Sequence, residues 1–338
     1  MYKFVIGIDI SKLTLDAALI VGGQPQSASH HHLGNTVEQI GALFEELGQK
    51  PGFSLDECLV CVEATGVYAH PLLTFTAQHG VHLWLESAVR IKKSIGLQRG
   101  KNDKADALRI AVYALKNQEN ARLWKPADAT LTAVKNLTSL RDRLIKSRNQ
   151  LTVPVEEFRQ MGDTRTATML AKAMKSTVRS LESDITAIEK QIKSMIDADE
   201  SLKELFALAS SVVGIGTQTA LALLIYTDGF TLFDDARKLA CYAGVAPFVY
   251  TSGTSVRGRT RVSKMANMDL KTALHMASLT AVKLDVQLRT YYQRKVTEGK
   301  SKMSVLNAVK AKLIHRVMSV VKRKQKYENS ANFSLLLS

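Results

Sequence analysis

Six apolar residues between positions 178 and 195 constrain the fold of this chain most. Val178, Leu181, Ile185, Ile188, Ile192 and Met195 recur at spacings of 3, 4, 3, 4 and 3. That is the a/d seam of a helix that must bury one stripe. Asp199 falls on the next a position and ends it. Leu137, Leu140, Leu144 and Leu151 make a similar, less regular stripe upstream. Residues 128–206 contain one proline, Pro154, and almost no strand signal. Two long helices are expected, packed on each other as a plain hairpin or on a second protomer.

The residues before this stretch have a different period. K-F-V-I-G-I-D-I at 3–10, L-T-L-D-A-A-L-I at 13–20, C-L-V-C-V-E-A at 58–64 and V-H-L-W-L-E-S at 81–87 read as strands. Residues 36–48 between them fit an amphipathic helix, with Val37, Ile40, Leu43, Phe44 and Leu47 on one face. Strands interleaved with helices imply an α/β domain. After the seam, residues 205–227 carry no charge, but G-I-G at 214–216 breaks the run and Ser210, Ser211, Thr217, Gln218 and Thr219 dilute it. A buried helix pair fits better than a membrane span. Apolar helix, V-V-G-I-G-T, apolar helix is also the pattern of a helix-hairpin-helix, whose turn can present N–H groups to a phosphate. Residues 234–325 read as helical apart from a polar loop at 250–263.

Charge separates the two ends. The chain of 338 residues has a formal net charge of +15, which favours a polyanionic partner, nucleic acid before membrane. Residues 1–89 net −6, residues 90–250 net +7 and residues 251–338 net +14. Three cysteines suit a reducing cytosol. Cys58 and Cys61 lie on one strand with odd spacing, so they face opposite sides and read as core rather than as a metal pair.

Two clusters carry candidate chemistry. Asp9 and Glu63 each stand near a strand end, where open α/β sheets form sites. Asp103 and Asp106 are spaced to share one face of a helix start. Acids so grouped call for a cation; hard carboxylate oxygens suit Mg²⁺, and a pair of such ions can clamp a phosphodiester. The bland reading is caps and solvated charge, with Asp103 as an N-cap. The second cluster is Y-T-S-G-T-S-V-R-G-R-T-R-V-S-K at 250–264. Ser252 or Ser255 could act as a nucleophile among Arg257, Arg259, Arg261 and Lys264. The same loop could instead grip phosphates without chemistry, the simpler reading of its residues alone. Lys101 and Lys104 flank the paired acids and complete the candidate nucleic-acid contacts.

These motifs, taken in order, carry a resemblance. G-I-D-I-S-K, V-E-A-T-G-V-Y, K-N-D-K-A-D-A, V-V-G-I-G-x-x-T-A, Y-A-G-V-A-P, S-G-T-S-V-R-G and R-V-S-K span residues 3 to about 320. The chain resembles the DEDD insertion-sequence transposases, a prokaryotic family of bridge-RNA-guided recombinases. The resemblance implies a ribonuclease H-like, RuvC-like α/β domain whose four acids are Asp9, Glu63, Asp103 and Asp106, with divalent metal as cofactor. It implies that Ser252 attacks DNA to give a covalent phosphoserine, with Ser255 in reserve. It further implies a structured guide RNA, donor and target DNA, and a dimer or tetramer with composite active sites. A cytoplasmic, nucleoid-associated location follows. R-V-S-K is followed here by Met265-Ala266 where glycine is common in the family, a departure that bears on the local loop geometry.

The expected organisation is a catalytic domain over 1–125, a helical coiled-coil connector over 126–203, a mostly α-helical C-terminal domain with the serine loop over 204–325, and a tail over 326–338. A metal-dependent junction nuclease without covalent intermediate is the main alternative. A sugar-kinase or actin-like ATPase also opens with G-I-D-I, but a phosphate-binding Gly-Thr pair does not follow Asp9 here. Non-catalytic nucleic-acid binding is the remainder.

Overall fold

The computed structural model describes residues 1–64, 66–95, 102–126, 128–252, 256–262 and 265–328. Contacts divide the chain into two compact units, Met1–Pro126 and Ala127–Ser338. Lys101, Ser255 and Lys264, named above as candidates, lie outside the described residues.

The first unit is a five-stranded mixed sheet with helices on both faces. In chain order it holds β1 (Phe4–Ile10), β2 (Thr14–Val21), β3 (Ser29–Gly34), α1 (Val37–Gly48), β4 (Cys58–Glu63), α2 (His70–His79), β5 (His82–Glu86), α3 (Ala88–Ile95) and α4 (Asp103–Asn117). The strand order is β3-β2-β1-β4-β5. β1 runs parallel to β4, and β4 to β5, while β2 and β3 are antiparallel additions. Strict alternation fixes the two faces. Phe4, Ile6, Ile8, Val60, Val62 and Leu83 pack toward Leu43, Phe44, Leu72 and Phe75 of α1 and α2. Val5, Leu59, Cys61 and Trp84 pack toward Ile110, Tyr113 and Ala114 of α4. Cys58 and Cys61 fall on opposite faces and are fully buried.

The second unit is mostly helical. α5 (Ala129–Gln160) and α6 (Thr164–Ala198) form a long antiparallel hairpin, and Pro154 is accommodated inside α5. The seam of α6 is buried within the chain at its C-terminal half: Ile188, Ile192 and Ile196 pack with Leu131, Val134, Leu202, Leu221 and Leu224. The buried residue there is Ile196, while Met195 is only half-buried. A straight helix at 3.6 residues per turn has drifted off the strict heptad by that point. Asp199 ends α6 and its carboxylate caps the next helix.

That next helix is α7 (Glu200–Ser210), followed by α8 (Thr217–Thr227) and α9 (Ala236–Tyr242). No helix of the described residues is long and apolar enough to cross a membrane. Gly214 between α7 and α8 has φ +97°, and a Cβ there would sit 2.6 Å from Ala281 Cβ, so only glycine fits. In place of the polar loop expected over 250–263, the described residues form an antiparallel ribbon of β6 (Pro247–Ser252) and β7 (Val256–Val262). Phe-Val-Tyr-Thr-Ser and Val-Arg-Gly-Arg-Thr-Arg-Val are rich in the β-branched and aromatic residues that suit strands, with a turn signal at Ser252-Gly253. α10 (Met268–Leu284), α11 (Val286–Thr297) and α12 (Lys302–Arg323) close the unit. Leu270, Leu274, Leu313, Ile314 and Val317 belong to its main core.

Candidate active site: a row of carboxylates and a serine-ended ribbon

The approach of α4 to the sheet depends on Gly7. A Cβ on Gly7 would lie 2.1 Å from Ala111 N and 2.4 Å from Ala107 O, both backbone. The missing side chain lets α4 lie against β1 two residues before Asp9. α4 begins at Asp103 because Asn102 caps it, its side chain accepting from the Lys104 amide at 3.1 Å. Asn102 therefore takes the capping role that the plainest reading gave Asp103. Asp103 is exposed in the first turn and Asp106 is half-buried one turn on. Lys104 is exposed beside them.

Strand register then assembles a row of acids on the face that α4 covers. Asp9 lies opposite Asp16 across the β1–β2 ladder. Ile8 is level with Val62, so Asp9 and Glu63 are the next residues along β1 and β4. Glu63 is level with Glu86 of β5. Successive strands are about 4.8 Å apart, so Asp16, Asp9, Glu63 and Glu86 cross four strands in one line.

The outer two acids already have partners. Asp16 is 6% exposed, with His30 Nε2 at 2.7 Å and His32 Nδ1 at 3.1 Å. Glu86 accepts from Tyr113 Oη at 2.9 Å and from the Ser87 amide at 2.6 Å, with Arg90 at 3.6 Å. The carboxylates of Asp9 and Glu63 have neither a hydrogen bond nor an ion pair among the described residues. Burial raises the Asp9 carboxyl above its ordinary range, and the charges of Asp106, Asp103, Glu63 and Asp16 push it further the same way. Four neighbouring acids that all disfavour ionisation of a fifth are the electrostatic setting that a cation relieves. Asp16 and Glu86 were not singled out from sequence. Asp16 interrupts the apolar strand in L-T-L-D-A and Glu86 ends the one in H-L-W-L-E, and those lone acids are the available signal.

An all-oxygen donor set matches a hard divalent cation in chemistry. The spacing is not preassembled. Among the described residues, no three His, Cys, Asp or Glu side chains stand at metal-holding distances. Arg109 occupies one oxygen of Asp106 at 2.5 Å, supplying part of the countercharge.

In the second unit, Ser252 is the last residue of β6, level with Val256. Arg257, Arg259 and Arg261 follow on β7. The ladder shifts register between Phe248 and Tyr250, where Arg261 pairs with Phe248 and Gly258 with Tyr250. One extra β7 residue is inserted there, as in a β-bulge. The four acids thus belong to one unit and the serine to the other.

Comparison with known proteins gives the two units a common identity. A transposase family model of the IS110 DEDD type matches residues 6–158. The model of the Transposase IS116/IS110/IS902 family matches residues 207–293. The chain is 28% identical over 342 residues to the pilin gene-inverting protein of Moraxella bovis, covering 97% of this chain and 98% of that one. It is 26% identical over 242 residues to the transposase for insertion sequence element IS1111A of Coxiella burnetii, covering 65% of each. An uncharacterized protein of insertion element IS110 from Streptomyces coelicolor is 34% identical over 132 residues, 38% of this chain and 32% of that one. With acids and basic ribbon in these positions, the chain is an enzyme that cuts and rejoins DNA. It belongs to the IS110/IS116 family of DEDD transposases.

Proposed function

We propose that this protein is an insertion-sequence recombinase that joins a metal-binding acidic centre to a serine nucleophile. The observation that carries the reading is the carboxylate row, with its outer members engaged and Asp9 and Glu63 left open beneath Asp103 and Asp106. The strand order β3-β2-β1-β4-β5, with the parallel trio β1-β4-β5 on one side and β2 and β3 added antiparallel on the other, supports a ribonuclease H-like sheet. Asp9, Glu63, Asp103 and Asp106 would hold Mg²⁺, Arg109 releasing Asp106 as the ion enters. The ion would supply Lewis-acid polarisation of the phosphodiester and countercharge for the leaving oxygen.

The protein's own step is a transesterification. The Ser252 Oγ–P bond forms and one P–O bond to deoxyribose breaks. The serine proton passes to a base or water, and the departing deoxyribose oxygen takes up a proton. One phosphodiester is exchanged for another, so rejoining needs no outside energy source. Arg257, Arg259 and Arg261, with Lys264, Lys101 and Lys104, grip backbone phosphates. The Moraxella bovis relative is named for inverting a gene, an outcome that needs rejoining as well as cutting, and this favours the covalent route over simple hydrolysis.

A structured RNA would choose donor and target by base pairing, the protein holding backbones by shape and charge. The acids and the serine lie in separate units, which suits a dimer or tetramer whose active sites combine Asp9 of one protomer with Ser252 of another. Mixing tests it. Ser252→Ala and Asp9→Ala should each be folded and inactive in strand exchange. Co-expressed, they should regain a measurable fraction of activity. Full activity of Ser252→Ala alone would remove the nucleophile assignment, and no recovery on mixing would remove the composite site.

A further inference from the structure

The buried face of α12 is apolar except at one position. Val305, Leu306, Val309, Leu313, Ile314 and Val317 are buried, and among them Lys310 is 5% exposed. No hydrogen bond or ion pair engages it among the described residues. Its neighbours on the packed helix α10 are Lys271 and His275, and His275 Nδ1 is fully buried with no partner. Burial lowers the Lys310 ammonium from its ordinary range and Lys271 lowers it further. Burial, then Lys310, does the same to His275.

Among the described residues, the acids on and beside α10 and α11 each have a partner of their own. Tyr226 holds Asp269 at 2.6 Å, Arg316 holds Asp285 at 2.7 Å, and Lys295 holds Glu298 at 2.5 Å. No residue from 236 to 268 is acidic. The position is the foot of the serine ribbon. Asn307, one turn before Lys310, donates to Val245 O at 2.6 Å, two residues ahead of β6. Asn267, one turn before Lys271, donates from its amide to Tyr242 O at 2.9 Å.

Crowded cations without a counterion are unfavourable, and an anion that enters relieves them. The polyanion this enzyme handles is DNA. We propose that Lys310, Lys271 and His275 form a binding site for a DNA backbone phosphate at the foot of the ribbon. This rests on the ribbon being the element that meets DNA.

Lys310→Met keeps the length of the side chain and removes the charge. Its affinity for duplex DNA, measured across a salt series, should weaken equally for all sequences. The slope of log affinity against log salt should fall by about one, while Tm without DNA stays level or rises. Ser252→Ala should keep the wild-type slope, so a failed serine assignment would show as a missing adduct with this site intact. An unchanged slope in Lys310→Met overturns the proposal, as does a lowered Tm, which would reveal a countercharge inside the protein. A slope reduced for structured RNA but not for DNA overturns the DNA assignment. If Lys310→Met loses cooperative unfolding, Lys271→Gln on the half-buried side of the cluster decides by the same slope.

Discussion

Replacing Gly7 by alanine is expected to damage catalysis more than folding. The added methyl would meet Ala111 N at 2.1 Å, Ala107 O at 2.4 Å and Ala111 Cα at 2.7 Å, none of which can rotate away. Bringing the nearest atom from 2.1 Å out to the 3.4 Å of ordinary contact requires α4 to retreat by about 1.3 Å. α4 carries Asp103 and Asp106, whereas Asp9 stays on β1. Overpacking of this kind costs roughly 1–3 kcal/mol, which for a chain of this size lowers Tm by several degrees, at about 2–4 °C per kcal/mol. A shift of about 1 Å in catalytic geometry costs on the order of 100-fold in rate. Gly48→Ala, with open space around its position, is the control and should leave both unchanged. The assay is Mg²⁺-dependent strand cleavage alongside thermal unfolding. A Gly7→Ala protein that cleaves at the wild-type rate would refute the claim that α4's closeness to β1 assembles the acids.

Asp9→Asn should stabilise the metal-free protein at neutral pH. The folded-state pKa of Asp9 is raised, so its contribution is present below the unfolded value of about 4 and lost as pH rises through the folded one. The Tm difference between Asp9→Asn and wild type should therefore widen from about pH 4 toward pH 7. Mg²⁺ should raise the Tm of wild type and not of the variant. Burial pushes the Cys58 thiol up to about 12 and Cys61 higher still, so thiol reagents should label only Cys241 in the native protein, as read by mass spectrometry. Ile192→Ala should cost about 2–5 kcal/mol in chemical denaturation, because Ile192 lies in the core shared by α5, α6, α7 and α8. Tyr113→Phe removes the hydroxyl that holds Glu86 and should lower cleavage activity with a loss of stability of about 1 kcal/mol.

The first unit was legible because its strands are buried on both faces. Runs such as Phe4–Ile10 and Cys58–Glu63 are continuous apolar segments that only a covered sheet uses. β3 escaped because Ser-His-His-His-Leu-Gly has no apolar alternation; its pairing comes from β2 and from the Asp16 contacts of His30 and His32. The ribbon reads as a loop from sequence because Ser, Gly and Arg outweigh its Val, Phe and Tyr by composition. The acids of the centre could be named by position, but the row could not. Which strands are neighbours, and at what register, is a tertiary fact that brings Asp16 and Glu86 into line with Asp9 and Glu63. The seam of α6 likewise could not say whether its partner was internal, since a hairpin and a dimer bury the same stripe.

The most direct test of the account traps the enzyme on DNA. Full-length protein, with Mg²⁺ and co-purified RNA, is incubated with a suicide substrate that cannot be religated, then denatured and digested for mass spectrometry. The account predicts a nucleotide-linked peptide modified at Ser252, absent from Ser252→Ala and from Asp9→Ala. Cleaved DNA with free ends and no protein adduct would contradict it and leave a hydrolytic carboxylate nuclease.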